Sequence, residues 1–159
     1  RERDSFIPFL DGNLDPTTPL ASLDRFFAAA LQKHRSAGFV GGCLWGNTAL
    51  EMSDSNVPHK EVVQGMFEVW IARVERVIRA GQRTGEIRAD LPAAKLACIV
   101  VAGIEGGIML SRLMKQEDPL KTCLESLRAL LTQQGKPVIS NSQTLAGLAP
   151  QGVGPRRKN

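Results

Sequence analysis

Glu105 is the only charged residue between Leu96 and Ser111, in a run otherwise made of Leu, Ala, Cys, Ile, Val, Gly, Met and Ser. A carboxyl in such company either finds a cation or is buried without one, and in the second case its pKa rises. Arg73, Arg76 and Arg112 are the candidate cations, and a bound ligand is the other candidate partner. The remaining reactive side chains do not assemble into a catalytic set. His34 and His59 have no metal-ligand spacing to a Cys or carboxylate, and no Glu-x-x-His pair marks a di-iron bundle. Ser53 and Asp54 sit in a capping segment, not in a nucleophile elbow. Cys43, Cys98 and Cys123 are odd in number and scattered. They read as reduced, small buried hydrophobes of a cytoplasmic protein. The expectation is a protein that is not an enzyme and carries no metal or cofactor.

The element that must position Glu105 spans Ala93 to Met114. Without Pro and without apolar–polar alternation, it reads as a helix that is apolar nearly all round and covered on more than one side. At 100° per residue one face collects Leu96, Val100, Gly103, Gly107, Leu110 and Met114. The opposite face collects Cys98, Val101, Ala102, Glu105, Met109 and Arg112. Two unlike faces suggest two jobs: the glycine face packs a helix closely, and the mixed face looks into a cavity. A membrane span is not expected, because the run is shorter than the ~20 residues a bilayer needs and holds an acid near its middle.

Helical signals frame the rest of the chain. Arg1 to Leu10 reads as the end of a helix that begins upstream. Thr18 and Pro19 offer a hydroxyl cap and a first-turn proline for a helix ending near Arg35 before Gly38. Gly38, Gly41 and Gly42 lead into a short helix from Cys43 to Met52. Asp54, Ser55 and Asn56 offer caps for a long amphipathic helix over about 57–83, roughly 40 Å in length. Gly85 caps its end. Asp118-Pro119 begins a last helix with Leu120, Leu124, Leu127 and Leu131 on one stripe, stopped by Gly135 and Pro137. The fold class is therefore all-α. Residues 1–135 form one domain, and residues 136–159, rich in Ser, Gln, Gly and Pro, read as a disordered tail.

The net charge of +4 is an effect of that tail. Lys136, Arg156, Arg157 and Lys158 lie in it without an acid, and residues 1–135 hold 16 basic against 16 acidic residues. A neutral domain lacks the charge excess of a surface that grips phosphates.

The stretch Gly42-Cys43-Leu44-Trp45-Gly46-Asn47-Thr48-Ala49-Leu50-Glu51-Met52-Ser53-Asp54 resembles the sixth helix of tetracycline-repressor (TetR) family regulators. Gly85-Glu86-Ile87-Arg88-Ala89-Asp90 is similar to the turn after the family's long helix. Gly103 to Arg112 and the Asp118-Pro119 helix then follow in the family order. The resemblance covers about residues 17–133. It implies a helical bundle of the TetR C-terminal regulatory type without the helix-turn-helix. Its partners would be a second copy, a small-molecule effector, and operator DNA only through an N-terminal domain that this chain lacks.

The aromatics then acquire a candidate role. Phe26, Trp45, Met52, Phe67, Trp70 and Met109 are expected to enclose one apolar hole, with Asn47 and Glu105 as its polar groups. Plain core is the alternative for each aromatic. The dimer seam is expected on Gly103, Gly107, Leu110, Leu120, Leu124, Leu127 and Leu131. A helical dimerisation scaffold with a filled core and no ligand is the competing function.

Overall fold

The computed structural model describes residues 2–55 and 57–133. They form six helices and, among the described residues, no strand: α1 (Glu2–Asn13), α2 (Pro19–Ser36), α3 (Leu44–Met52), α4 (Val57–Thr84), α5 (Ala93–Met114) and α6 (Asp118–Thr132). Asn56 and the proposed tail at 136–159 lie outside the described residues.

Helix α5 is the centre of the bundle. It packs between α6 and α4, with α1 and α2 closing over the inner side of α4. At 22 residues it is long and apolar enough to cross a membrane by composition alone. Here Leu96, Ala97, Val100, Val101, Ile104 and Ile108 are buried inside the bundle. Burying each large aliphatic side chain contributes roughly 1.5–3 kcal/mol, and this drives the helix to the middle.

The two glycines on α5 face α6 of the same chain. A methyl at Gly107 would meet the Leu120 Cα at 3.2 Å and the Cys123 Cβ at 3.1 Å, and one at Gly103 would meet Leu127. Leu120, Leu124, Leu127 and Leu131 are buried within the chain. The stripe expected to be surplus apolar surface is thus used internally, and only Leu110 of the expected seam residues reaches solvent substantially, at 36% exposure.

The capping details differ from the sequence signals. Pro19 does open α2, but the Thr18 hydroxyl makes no capping bond. Asp15 organises this turn instead, accepting from the Thr17 N–H at 2.8 Å and the Thr17 hydroxyl at 2.7 Å. Asp118 lies inside the first turn of α6 rather than capping it. The missing cap comes from α5: the buried Ser111 hydroxyl accepts from the Leu120 N–H at 2.9 Å. Lys115, left-handed at φ 55°, reverses the chain between them.

The turn between α4 and α5 is pinned by four groups. Ile87 is buried against Gly81, where a Cβ would stand 2.5 Å from Ile87 Cδ1. The Gln82 side chain donates to the Arg88 and Leu91 carbonyls at 2.9 and 2.8 Å. The Arg88 N–H donates to the Leu131 carbonyl at 2.8 Å, and its guanidinium pairs with Asp90. The end of α4 and the end of α6 are therefore held together at one pole of the bundle.

Candidate functional site

At the other pole α3, α4 and α5 do not close. Gly41 and Gly42 take φ of 81° and 69°, left-handed values that suit glycine, and steer the chain into α3. Cys43 precedes the first turn of α3 and places Gly46, Asn47, Ala49 and Leu50 opposite α5. Phe67 and Ile71 approach from α4. Cys98, Val101, Ala102, Glu105, Gly106, Ile108, Met109 and Arg112 form the α5 wall. The resulting cleft has a volume of about 540 Å³, within the size range of small-molecule sites. Its walls are overwhelmingly apolar, with Asn47, Glu105 and Arg112 as the hydrogen-bonding exceptions.

Glu105 is held against the α3 backbone. Its Oε2 occupies the place that a Cβ on Gly46 would need. Its Oε1 is fully buried and has no hydrogen-bond partner among the described residues. None of the three candidate arginines pairs with it. Arg73 bonds Asp11 at 3.0 Å, Arg112 bonds Asn47 at 2.7 Å, and Arg76 forms no pair with it. Burial therefore pushes the Glu105 carboxyl above its ordinary range, partly offset by the Cys43 thiol against it. The thiol is pushed up to about 12, first by burial and then by the neighbouring carboxylate. A thiol so suppressed is no nucleophile at neutral pH.

Asn47 forms the rim. Its amide donates to the Gly41 carbonyl at 2.6 Å and its Oδ1 accepts from Arg112 at 2.7 Å. This chain of two bonds ties the glycine loop, α3 and α5 together.

The structure divides the residues expected to enclose one hole. Asn47, Phe67, Glu105 and Met109 line the cleft. Phe26, Trp45 and Trp70 instead line a separate void of about 40 Å³, which has room for roughly one water. Met52, half-buried at the end of α3, lines neither. The division arises at α1, whose Phe6 packs edge-on to Trp70 at 5.3 Å between centroids and fills the space above it. Cys43 and Ile108 form the partition, since both line the void and the cleft. Cys43, Gly46 and Ile71 were not anticipated as site residues. A glycine in mid-helix, facing the only acid of an apolar helix, was the signal available for Gly46.

Six helices on a common core, opened at one pole, are the form of the C-terminal domains of helical transcriptional regulators. The chain belongs to the tetracycline repressor-like C-terminal domain family, whose profile matches residues 19–127. It is 34% identical over 112 residues to the transcriptional regulator AcuR of Cereibacter sphaeroides, covering 70% of this chain and 50% of that protein. It is 33% identical over 103 residues to the HTH-type transcriptional repressor DhaR of a Mycobacterium species, covering 64% and 50%. The chain thus spans about half the length of these curated relatives. Among solved structures it resembles a regulatory protein TetR from Rhodobacter sphaeroides, with a TM-score of 0.75 and 31% identity over 80% of this chain and 69% of that one. A TetR transcriptional regulator from Chloroflexus aurantiacus gives 0.67 and 27%, over 82% and 67%.

Proposed function

We propose that this chain is the effector-binding and dimerisation part of a cytoplasmic DNA-binding repressor, released from its operator by a small, largely apolar ligand. The observation that carries this reading is the cleft itself: about 540 Å³ of apolar space with a buried, unpartnered carboxyl oxygen in its wall. A filled core would have favoured a pure scaffold. An unsatisfied buried carboxyl is unfavourable by itself, and a turn of the Glu105 side chain that presents this oxygen to a ligand donor removes that penalty. A hydrogen-bond-donating or weakly basic head at Glu105, followed by an apolar body along Phe67 and Ile71, fits these walls. DNA would be bound by a helix-turn-helix outside this chain, which agrees with the neutral charge of residues 1–135.

The second copy is proposed to dock on the outward face of α5. Ile99, Leu110 and Leu113 are exposed there at 44, 36 and 75%. Between them lie Ala102 and Gly106, at the edge where this face meets the cleft wall, and a methyl at Gly106 would meet nothing within 4 Å. Small residues flanked by large apolar ones let two helices approach closely in a twofold seam. Sedimentation velocity at micromolar concentration should give a dimer, converted to monomer by Leu113→Glu. A wild-type monomer would count against the seam.

The function is tested with the intact regulator by operator band-shift against a compound library, with tryptophan fluorescence of this chain as the binding readout. Compounds that change the fluorescence should weaken operator binding. If operator affinity ignores every compound that binds, the switch is wrong and the scaffold reading gains.

A further inference from the structure

Glu105 and Arg112 mark the two ends of the same cleft wall. They are seven residues apart on α5, nearly superimposed in helical phase and about 10.5 Å apart along the axis. Ile108 and Met109 separate them, so the wall reads acid, apolar, base. The two ends differ in their needs. At the inner end the Glu105 Oε1 is buried without a donor. At the outer end Arg112 has no acidic partner among the described residues: its guanidinium donates to the neutral Asn47 amide oxygen. Met109 and Arg112 also line a second, open hollow, together with Leu113 and Lys115. Lys115 likewise donates to a neutral group, the Phe39 carbonyl, at 3.3 Å. Among the described residues no acid other than Glu105 lines either space.

We infer that the ligand is bipolar: a donor head on Glu105, an apolar body of about two helical turns, and an acidic group on Arg112. This rests on the cleft being the effector site and adds its outer end. A carboxylate is the better acceptor for Arg112, because it brings the opposite charge and can take two parallel N–H bonds of the guanidinium, where the Asn47 amide offers one neutral oxygen. Taking Arg112 from Asn47 would also release the bond that ties α5 to the glycine loop through Asn47 and Gly41. Occupation of the outer end is therefore coupled to the position of α3.

Isothermal titration of this chain with three probes of equal chain length tests the inference: 8-aminooctanoate, octylamine and octanoate. The two-headed probe should bind about tenfold more tightly than either single-headed one. Arg112→Gln should reduce it to the level of octylamine and leave octylamine itself unchanged. Glu105→Gln should reduce it to the level of octanoate. Arg112 is exposed, and an unchanged melting temperature of Arg112→Gln verifies that the fold is kept. If 8-aminooctanoate binds no better than octylamine, or if Arg112→Gln leaves every affinity unchanged, the outer end plays no part and the inference fails, while a donor-headed effector still stands. If none of the three binds, the bipolar class is wrong, and the library screen alone decides whether the cleft takes an effector.

Discussion

Glu105 rests on Gly46 so closely that any side chain at position 46 would displace its carboxylate. The absence of a Cβ on α3 and the presence of an acid on α5 are one feature: the glycine makes the berth in which the carboxyl is buried. The displaced atom would be the end of a flexible side chain, not backbone, so the berth can be filled without breaking the fold.

Gly46→Ala is therefore expected to separate binding from stability. Alanine favours the helix by about 1 kcal/mol over glycine, which offsets the cost of turning Glu105 aside. Urea denaturation should show stability within about 1 kcal/mol of wild type. Binding of a donor-headed ligand should fall to the level of Glu105→Gln. A variant that binds as well as wild type would show that the buried position of the carboxyl is irrelevant.

The pH dependence of stability follows from the direction of the Glu105 shift. Its folded-state pKa is raised above the unfolded value by burial. In the interval between the two values the folded chain binds more protons than the unfolded chain, so stability falls as pH rises through it. The contribution is fully present below the unfolded pKa and lost above the folded one. Glu105→Gln removes the titration. Its stability relative to wild type should rise from pH 4 to pH 7 in urea titrations, and a constant difference would contradict the assignment.

Gly103 and Gly107 meet α6 differently, and their substitutions should diverge. At Gly103 the atoms nearest an added methyl all belong to the Leu127 side chain, at 3.1–3.4 Å, which can rotate away. At Gly107 it meets the Leu120 backbone and the Cys123 Cβ, which cannot. Gly103→Ala should be near neutral, its propensity gain offsetting the repacking. Gly107→Val should destabilise by about 1–3 kcal/mol through overpacking. Equal effects in chemical denaturation would refute this reading of the contact.

These contacts also mark how far the sequence could be read. Apolar periodicity located α2, α4, α5 and α6, with Pro19, Pro119 and Gly85 at their boundaries, whereas α1 runs to Asn13, through Gly12 and Asn13, which read as a turn. The 100° plot separated the packing arc of α5 from the arc that lines the cleft, because both follow from the helix's own geometry. What failed needed knowledge of the neighbour. An apolar stripe on α6 is equally suited to its own chain or to a second copy, and the glycines of α5 took it. Phe67 and Trp70 differ by less than one helical turn, yet Phe67 reaches the cleft and Trp70 is sealed beneath Phe6 of α1. Ser111 as the cap of α6 was invisible because the bond crosses a reverse turn.

The route from cleft to α1 supplies the last prediction. Phe67 lines the cleft and stacks on Trp70 with centroids 6.0 Å apart and planes at 23°. Trp70 in turn meets Phe6 edge-on at 84° and Phe26 at 79°. A ligand that moves Phe67 must therefore move Trp70 against α1 or be opposed by it. In the proposed repressor α1 leads toward the DNA-binding domain, so a ligand that favours one tilt of α4 and α1 shifts the population of head separations. Two heads reading successive major-groove turns need a spacing of about 34 Å. A few kcal/mol of differential affinity is enough to move the equilibrium from mostly bound to mostly free. Trp70→Phe keeps an aromatic ring in the stack and should reduce the effector response of the intact protein in operator band-shifts while leaving effector-free binding intact. Trp70→Ala should reduce the response further, but it empties a buried site and costs about 3–5 kcal/mol. Its melting temperature must be measured beside the band-shift. A folded Trp70→Ala protein that releases operator at the wild-type effector concentration would remove Trp70 from the switch and leave it as packing between α1 and α4.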